Sequence, residues 1–223
     1  ILLFLFLTWI STIFVKKTKD ILKKDATSLL STVLKPAVLG ILLSCFLMQL
    51  SHGPFYAFFA IYLTENSYST NAIGIIWSLG VIAEILIFMK ISSWIPKYGL
   101  KNLFVISFLF AVFRWLLISL FPQNLAIVIL ATLFHAITYG MYHAVSISLI
   151  HEYFTGILQG RGQALYSSVS FGLGGSLGSF YSGYLWEQVG GSTVFLYAGL
   201  FAFLGFIVSF ILVKSRNKSY IKS

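Results

Sequence analysis

Six apolar stretches follow one another along the chain, each long enough to cross a lipid bilayer, with short polar segments between them. A spanning α-helix needs about 20 predominantly apolar residues. No stretch alternates apolar and polar residues with a period of two, so strands are not predicted. The pattern predicts an all-α membrane protein, a bundle of six transmembrane helices with antiparallel neighbours. The predicted spans cover residues 37–63, 70–91, 102–121, 124–150, 161–187 and 192–213.

The segments outside this bundle, which occupies residues 37–213, differ from it in length or charge. Residues 1–15 are apolar but too short for a complete span, and we interpret them as the end of a truncated transmembrane helix. Residues 16–36 are predicted to form a basic cytoplasmic linker, either an amphipathic helix on the membrane surface or a solvated segment. Residues 214–223 are predicted to form a basic cytoplasmic tail.

Composition agrees with a protein whose solvent is the lipid bilayer. The chain is 58% hydrophobic and 9% charged, whereas soluble domains carry about 25% charged residues. The net charge is +9, but the cations cluster near the ends of the predicted spans and not on one accessible patch. We therefore expect no nucleic-acid binding.

The connections alternate in charge along the chain. The 64–69 connection carries only Glu65, whereas the 92–101 connection carries Lys97 and Lys101. Cytoplasmic connections hold the excess of Lys and Arg. The alternation predicts a multi-pass protein of the inner (cell) membrane with a cytoplasmic C-terminus.

Five ionisable side chains lie inside the predicted spans: His52, Glu84, Arg114, His135 and His143. A charge in hydrocarbon is costly, so such residues usually face a bundle interior or cavity and serve a substrate or proton pathway. The alternative for the histidines is a structural hydrogen bond to a neighbouring helix. We expect Glu84 and Arg114 to be paired, directly or through a water.

Aromatic residues share helical faces with these groups. Tyr139 and Tyr142 recur at helical spacing with the two histidines of the 124–150 span, and Trp77 shares a face with Glu84. We expect these three aromatic side chains to line a cavity.

Glycine and proline mark two other features. Gly53 and Pro54 lie near the middle of the first span, where they predict a helix break of the kind that transporters use; a merely tolerated kink is the alternative. Gly174 and Gly178 have small-xxx-small spacing and predict close helix packing, inside the bundle or between copies of the chain.

Signatures of catalysis are missing from the sequence. There is no phosphate-binding GxxxxGK[ST], and His151-Glu152 is not followed by the second histidine of HExxH. The one cysteine excludes a disulfide framework and a thiolate metal cluster. We expect no enzymatic activity, no metal and no cofactor.

Three segments carry a resemblance to a known family: HGPFYAFFAIYL (52–63), GIIWSLGVIAEILIF (74–88) and LFHAITYGMYHA (133–144). Together they resemble the C-terminal half of a major facilitator superfamily transporter, in particular the phenylpropionate permease group related to the oligosaccharide:proton symporters (lactose permease-like). The resemblance implies a 12-helix fold of two six-helix bundles around a central cavity. This chain would be the second bundle, and its missing N-terminal six-helix half would be a partner.

In lactose permease-like symporters an acidic residue in the eighth helix, an arginine in the ninth and a histidine in the tenth serve proton coupling and substrate contact. Glu84, Arg114 and His135 occupy similar places, whereas the tenth-helix carboxylate of the sugar symporter has no counterpart. The resemblance implies proton-coupled symport of a small organic solute, with an aromatic acid as one candidate. An exporter of drugs or nucleosides and a non-transporting multispan protein are the alternatives.

Overall fold

The computed structural model describes residues 28–216, together with Phe6 and Ile10. The predicted truncated helix and most of the linker lie outside the described residues, as do residues 217–223 of the tail. Within the described part the chain is helical and contains no strand. The α-helices are α1 (Leu29–Val33), α2 (Pro36–Glu65), α3 (Thr70–Tyr98), α4 (Leu100–Leu120), α5 (Leu125–Leu133), α6 (Tyr142–Tyr153), α7 (Gln159–Ser167) and α8 (Ser176–Leu212).

Two π-helical segments and one 3₁₀ turn join these helices into longer rods. Ala136–Met141 is π-helical and connects α5 to α6, and Ser168–Gly175 is π-helical and connects α7 to α8. The 3₁₀ turn, Gly156–Leu158, leads into α7. A π-helical turn holds more residues than an α-helical turn, so it changes which side chains face a neighbouring helix.

Five helical stretches are long and apolar enough to cross a membrane, which confirms the prediction of a helical membrane protein. They are Pro36–Glu65, Thr70–Tyr98, Leu100–Leu120, Leu125–Tyr153 and Gly156–Leu212. The last stretch is 57 residues long, and α8 within it is interrupted by the non-helical residue Gly190, with φ 77° and ψ 157°. The count of six spans therefore stays a prediction.

The predicted connection at 92–101 is mostly helix. α3 continues to Tyr98, and Gly99 alone separates it from α4. Gly99 has φ 78°, a conformation in which a side chain would be strained. The charged residues that suggested a loop, Lys97 and Lys101, lie on the last turn of α3 and the first turn of α4.

The predicted helix break at Gly53 and Pro54 does not occur, because α2 is helical from Pro36 to Glu65. Pro54 has no N–H to donate to the Leu50 carbonyl, and neighbouring helices commonly stabilise such a site in membrane proteins. Here the neighbour is α8, whose Gly178 lies against Leu50 and Gly53. The glycine serves a close helix contact, and the helix continues.

Glycines hold α2 close to the second π segment and to α8. A Cβ atom on Gly174 would lie 2.7 Å from the Phe46 carbonyl oxygen, and one on Gly178 would lie 2.7 Å from the Leu50 carbonyl oxygen. A Cβ atom on Gly53 would collide with the backbone of Gly178. The two glycines with small-xxx-small spacing thus contact α2 of the same chain.

Several contacts gather the Lys- and Arg-bearing ends of the helices on one face, which we call the basic end. Tyr153 at the end of α6 donates a 2.6 Å hydrogen bond to the Lys214 carbonyl oxygen. The Glu152 carboxylate accepts a 2.8 Å hydrogen bond from the Arg216 backbone N–H. The Nζ of Lys101, at the start of α4, lies 5.7 Å from the ring centroid of Phe210.

At the other end of the bundle the described connections carry no Lys or Arg. There the Glu65 carboxylate accepts a 3.1 Å hydrogen bond from Nε1 of Trp186. Which end faces the cytoplasm stays a prediction from this charge distribution.

The glycine contact leads to a test of stability. Gly178→Ala should lower the free energy of unfolding by about 1–3 kcal/mol, because the new methyl group would force α2 and α8 apart. Gly175→Ala is the matched control, since nothing lies within 4 Å of its Cβ position. The measurement is thermal unfolding of the intact gene product in detergent micelles. Equal melting temperatures for the two variants would contradict the contact.

Candidate functional site

Arg114 of α4 lies at the centre of the site, with 0% of its surface exposed. Its guanidinium carbon is 4.1 Å from the ring centroid of Phe55 on α2 and 4.3 Å from that of Trp115. Aromatic ring faces attract a cation, most strongly where water is excluded. The two rings therefore offset part of the cost of burying the charge.

The Nη1 group of Arg114 faces three uncharged acceptors on two other helical segments. It lies 3.2 Å from Nε2 of His52, 3.1 Å from Nδ1 of His135 and 3.0 Å from Oγ1 of Thr138. His52 comes from α2, and the other two flank and enter the first π segment. Arg114 thus links three elements of the bundle through one nitrogen.

The partners of each imidazole assign its tautomer. Nδ1 of His52 is 2.9 Å from the Met48 carbonyl oxygen, which only accepts, so Nδ1 carries the proton and Nε2 accepts from Arg114. Nδ1 of His135 also accepts from Arg114, so its proton is on Nε2. That N–H lies 3.6 Å from Oε2 of Glu84. Both histidines are neutral in this arrangement.

Among the described residues Glu84 and Arg114 are not directly paired, and His135 lies between them. The imidazole accepts from the arginine on one side and presents its other N–H to the carboxylate. Gly140 of the first π segment leaves space for the Glu84 side chain, since a Cβ atom on Gly140 would lie 3.0 Å from Cγ of Glu84. The side chain of Glu84 is 18% exposed, so the acid lies at the edge of the site and the arginine inside it.

One edge of the guanidinium has no acceptor. Nε and Nη2 of Arg114 are buried without a hydrogen-bond partner among the described residues. Leaving buried donors unpaired is costly, more so for a charged group. A guanidinium edge matches the two oxygens of a carboxylate. The arrangement can therefore accept an anionic group.

His143 lies apart from the arginine, at the end of a row of stacked rings. The rings of His135 and Tyr139 are 5.1 Å apart and inclined by 11°, and those of Tyr139 and His143 are 5.9 Å apart and inclined by 5°. Nδ1 of His143 lies 2.9 Å from the Tyr166 hydroxyl oxygen. The five predicted ionisable residues thus form a cluster of four and one separate histidine.

Of the three aromatic residues predicted to line a cavity, Tyr142 contacts α2 and, within the described part of the chain, makes no hydrogen bond or ring contact with Arg114 or Glu84. It is fully buried, and its hydroxyl donates a 3.3 Å hydrogen bond to the Cys45 carbonyl oxygen of α2. The π segment just before it adds residues to the turn, so Tyr142 does not share the face of His135 and Tyr139. Trp77 and Tyr139 are partly buried, and Trp77 packs against Phe55 with ring centroids 4.6 Å apart.

Sequence reasoning missed several side chains of the site. Thr138 lies three residues after His135, a spacing that could have identified it. Trp115 and Phe55 follow Arg114 and Pro54 directly, but nothing distinguishes them among the many aromatic residues of the chain.

Two curated proteins are similar to the chain. One is the "Probable 3-phenylpropionic acid transporter" of Escherichia coli (strain K12), which is 30% identical over 148 residues, 65% of this chain and 38% of that protein. The other is the "Uncharacterized transporter YwbF" of Bacillus subtilis (strain 168), 24% identical over 205 residues, 92% of this chain and 50% of that protein. The chain therefore spans half or less of the length of these relatives.

A family model agrees with these relatives and with the helical membrane fold. The model described as "MFS_1 like family" matches residues 1–197, which is most of the chain. The chain therefore belongs to the MFS_1 like family, a family of major facilitator superfamily transporters.

Proposed function

We propose that the chain is the C-terminal, six-helix half of a proton-coupled symporter for a small organic anion. One observation carries this proposal: Arg114 is linked to Glu84 through a neutral imidazole while its remaining N–H groups have no acceptor among the described residues. The free N–H groups of Arg114 can bind an anion and the Glu84 carboxylate can bind a proton, so one site can hold both.

Helix length supports six spans. The 57-residue stretch Gly156–Leu212 would measure about 85 Å as one straight helix, against a hydrocarbon core of about 30 Å. The non-helical conformation of Gly190 interrupts it after roughly half of that length. We infer that the stretch crosses the membrane twice.

The charges of the site couple the binding of a proton to the binding of an anion. With Glu84 ionised, the site holds one positive and one negative charge and two neutral imidazoles. Protonation of Glu84 leaves the charge of Arg114 without a counter-ion in a dry environment, which is strongly unfavourable. A bound carboxylate restores neutrality. Proton and anion therefore increase each other's affinity, and this mutual effect is the thermodynamic requirement of symport.

His135 transmits the coupling between the two charges. Its Nδ1 accepts from Arg114 only while it is unprotonated, so the contact and a cationic imidazole exclude each other. When an anion draws the guanidinium towards itself, Nδ1 becomes free to accept a proton. The opposite ring nitrogen, Nε2, lies 3.6 Å from Oε2 of Glu84. The imidazole can thus relay a proton between the carboxylate and the substrate site.

The surroundings favour an aromatic acid. Tyr56 is 47% exposed, and its ring lies 6.0 Å from that of His52 and 6.2 Å from that of His135. It provides a ring beside the anion site against which an aromatic substrate can pack. The similar Escherichia coli protein is described as a probable transporter of 3-phenylpropionic acid, which is an aromatic monocarboxylic acid. We propose an aromatic monocarboxylate as the substrate.

The six-span topology is tested by cysteine labelling. Gln159→Cys and Lys214→Cys should react with an impermeant maleimide from one side of the membrane, and Gln188→Cys from the other. All three positions are exposed, and the native Cys45 is buried. Labelling of Gln159→Cys and Lys214→Cys from opposite sides would show a single crossing.

Proton coupling is tested by Glu84→Gln, which keeps the shape and removes the titrating group. In proteoliposomes of the intact gene product, a pH gradient should drive uphill uptake of labelled 3-phenylpropionate or benzoate. Glu84→Gln should reduce this uptake to equilibration while exchange of internal for external substrate continues. Glu187→Gln, an exposed acid at the other end, is the control and should accumulate substrate normally.

Two results would contradict the symport proposal. Uphill uptake by Glu84→Gln would exclude the carboxylate as the proton site. If the wild-type protein accumulates neither acid, the non-transporting alternative is favoured. If it pumps substrate only into inverted vesicles, the exporter is favoured.

The anion site is tested by Arg114→Lys, which keeps the charge and loses the planar edge. Hydrogen bonds to charged groups contribute about 1.5–3 kcal/mol, so affinity for 3-phenylpropionate should fall roughly 10- to 100-fold. Affinity for the neutral 3-phenylpropionamide should change little, which separates loss of the anion contact from loss of folding. Arg161→Lys, exposed in α7, is the control. An unchanged ratio of acid to amide affinity in Arg114→Lys would contradict the assignment.

A further inference from the structure

A cavity that Arg114 does not line opens at the basic end of the bundle. It is a groove of about 750 Å³ next to the corner where α3 turns into α4. Its floor is apolar and runs from the corner towards the middle of the bundle. Four of the side chains that form this floor are Leu103, Ile106, Ile137 and Met141.

The mouth of the groove is basic and aromatic. Lys97 and Lys101 line it on either side of Gly99, the single residue between the two helices. Trp94 and Tyr98 lie beside them. Such aromatic residues are typical of the membrane–water interface, where the ring is apolar on one side and polar on the other.

Neither lysine is neutralised by a carboxylate within residues 28–216, where the acidic side chains are Glu65, Glu84, Glu152 and Glu187. Each ammonium nitrogen lies over an aromatic ring: Nζ of Lys97 is 5.0 Å from the ring centroid of Tyr98, and Nζ of Lys101 is 5.7 Å from that of Phe210. Both lysines keep their hydrogen-bond donors available to an anion. The groove therefore combines two available cations with a long apolar floor.

We infer that this groove binds an anionic phospholipid, with the headgroup phosphate between Lys97 and Lys101 and an acyl chain along the apolar floor. A basic recess between helices at the membrane surface fits an anionic headgroup. The floor distinguishes a lipid from a free phosphate, since a soluble ion would leave the apolar side chains uncovered. Aromatic residues at the mouth place the recess at the level of lipid headgroups.

Trp94 provides the test, because brominated acyl chains quench the fluorescence of a tryptophan that they contact. The intact gene product is placed in nanodiscs that contain equal small fractions of dibrominated phosphatidylglycerol or dibrominated phosphatidylcholine. The fluorescence of Trp94 is obtained as the difference between the wild-type protein and the Trp94→Phe variant. Phosphatidylglycerol should quench the Trp94 fluorescence at a lower mole fraction than phosphatidylcholine. Each lysine should contribute roughly fivefold to this preference, so Lys97→Gln with Lys101→Gln should abolish it.

A matched double variant separates the groove from general surface charge. Lys35→Gln with Lys90→Gln removes two exposed lysines that border the same membrane face and do not line the groove; it should retain the preference. Lys97→Arg with Lys101→Arg should also retain it, which shows that the change to glutamine does not act through folding.

Four results would overturn the inference. Equal quenching by the two lipids would identify an ordinary lipid-facing groove, and an equal loss in both double glutamine variants would identify diffuse attraction. A preference that survives Lys97→Gln with Lys101→Gln would place the lipid elsewhere. Complete loss of the preference in added inorganic phosphate, at constant ionic strength, would identify a site for the free ion.

Discussion

A guanidinium without solvent contact has to be stabilised by its neighbours, and Arg114 imposes this requirement on several helices at once. Removal of an ion from water costs several kcal/mol even after the surroundings adjust. This cost is offset by two ring faces, by three neutral acceptors and by one carboxylate that lies beyond an imidazole. The partners come from α2, α3, α4 and the first π segment. Relative movement of these elements therefore changes the electrostatic energy of the arginine.

Backbone geometry brings these partners together. The π segment after His135 directs Thr138 towards Arg114 and places Gly140 against Glu84. On the opposite side of α2, Gly53 lets the backbone of α8 approach closely. The same helix thus packs tightly on one side and presents His52 and Phe55 to the arginine on the other. π-Helical turns often occur at functional sites for this reason: they place side chains that a regular helix could not combine.

Hydropathy was enough to predict the helices, because an apolar stretch in lipid has to satisfy its own backbone hydrogen bonds. It also identified four of the residues that meet at the site, since a buried charge stands out in an apolar stretch. The order of contacts could not be predicted in the same way. His135 lies between Glu84 and Arg114 because of side-chain reach and the π segment, and neither is visible in residue spacing. Tyr142 left its predicted face for the same reason.

Proline shows the limit of local rules. Pro54 removes one backbone hydrogen bond wherever it occurs, but the fate of the helix depends on what packs against the freed carbonyl. Here α8 packs there, and α2 remains one helix.

Arginine and lysine side chains occupy two different environments in the bundle. Arg114 is planar and weakly hydrated, so it can be buried among rings and bind a carboxylate edge-on. Lys97 and Lys101 are compact, strongly hydrated point charges on flexible chains, and they line the groove at the basic end. Lysine in place of Arg114 would fail at the buried site, whereas arginine in place of Lys97 and Lys101 would change little. A buried ammonium would lose its hydration without gaining two planar hydrogen bonds, whereas a guanidinium at the surface gains little from its shape. The residue type at each depth follows from the cost of removing water from it.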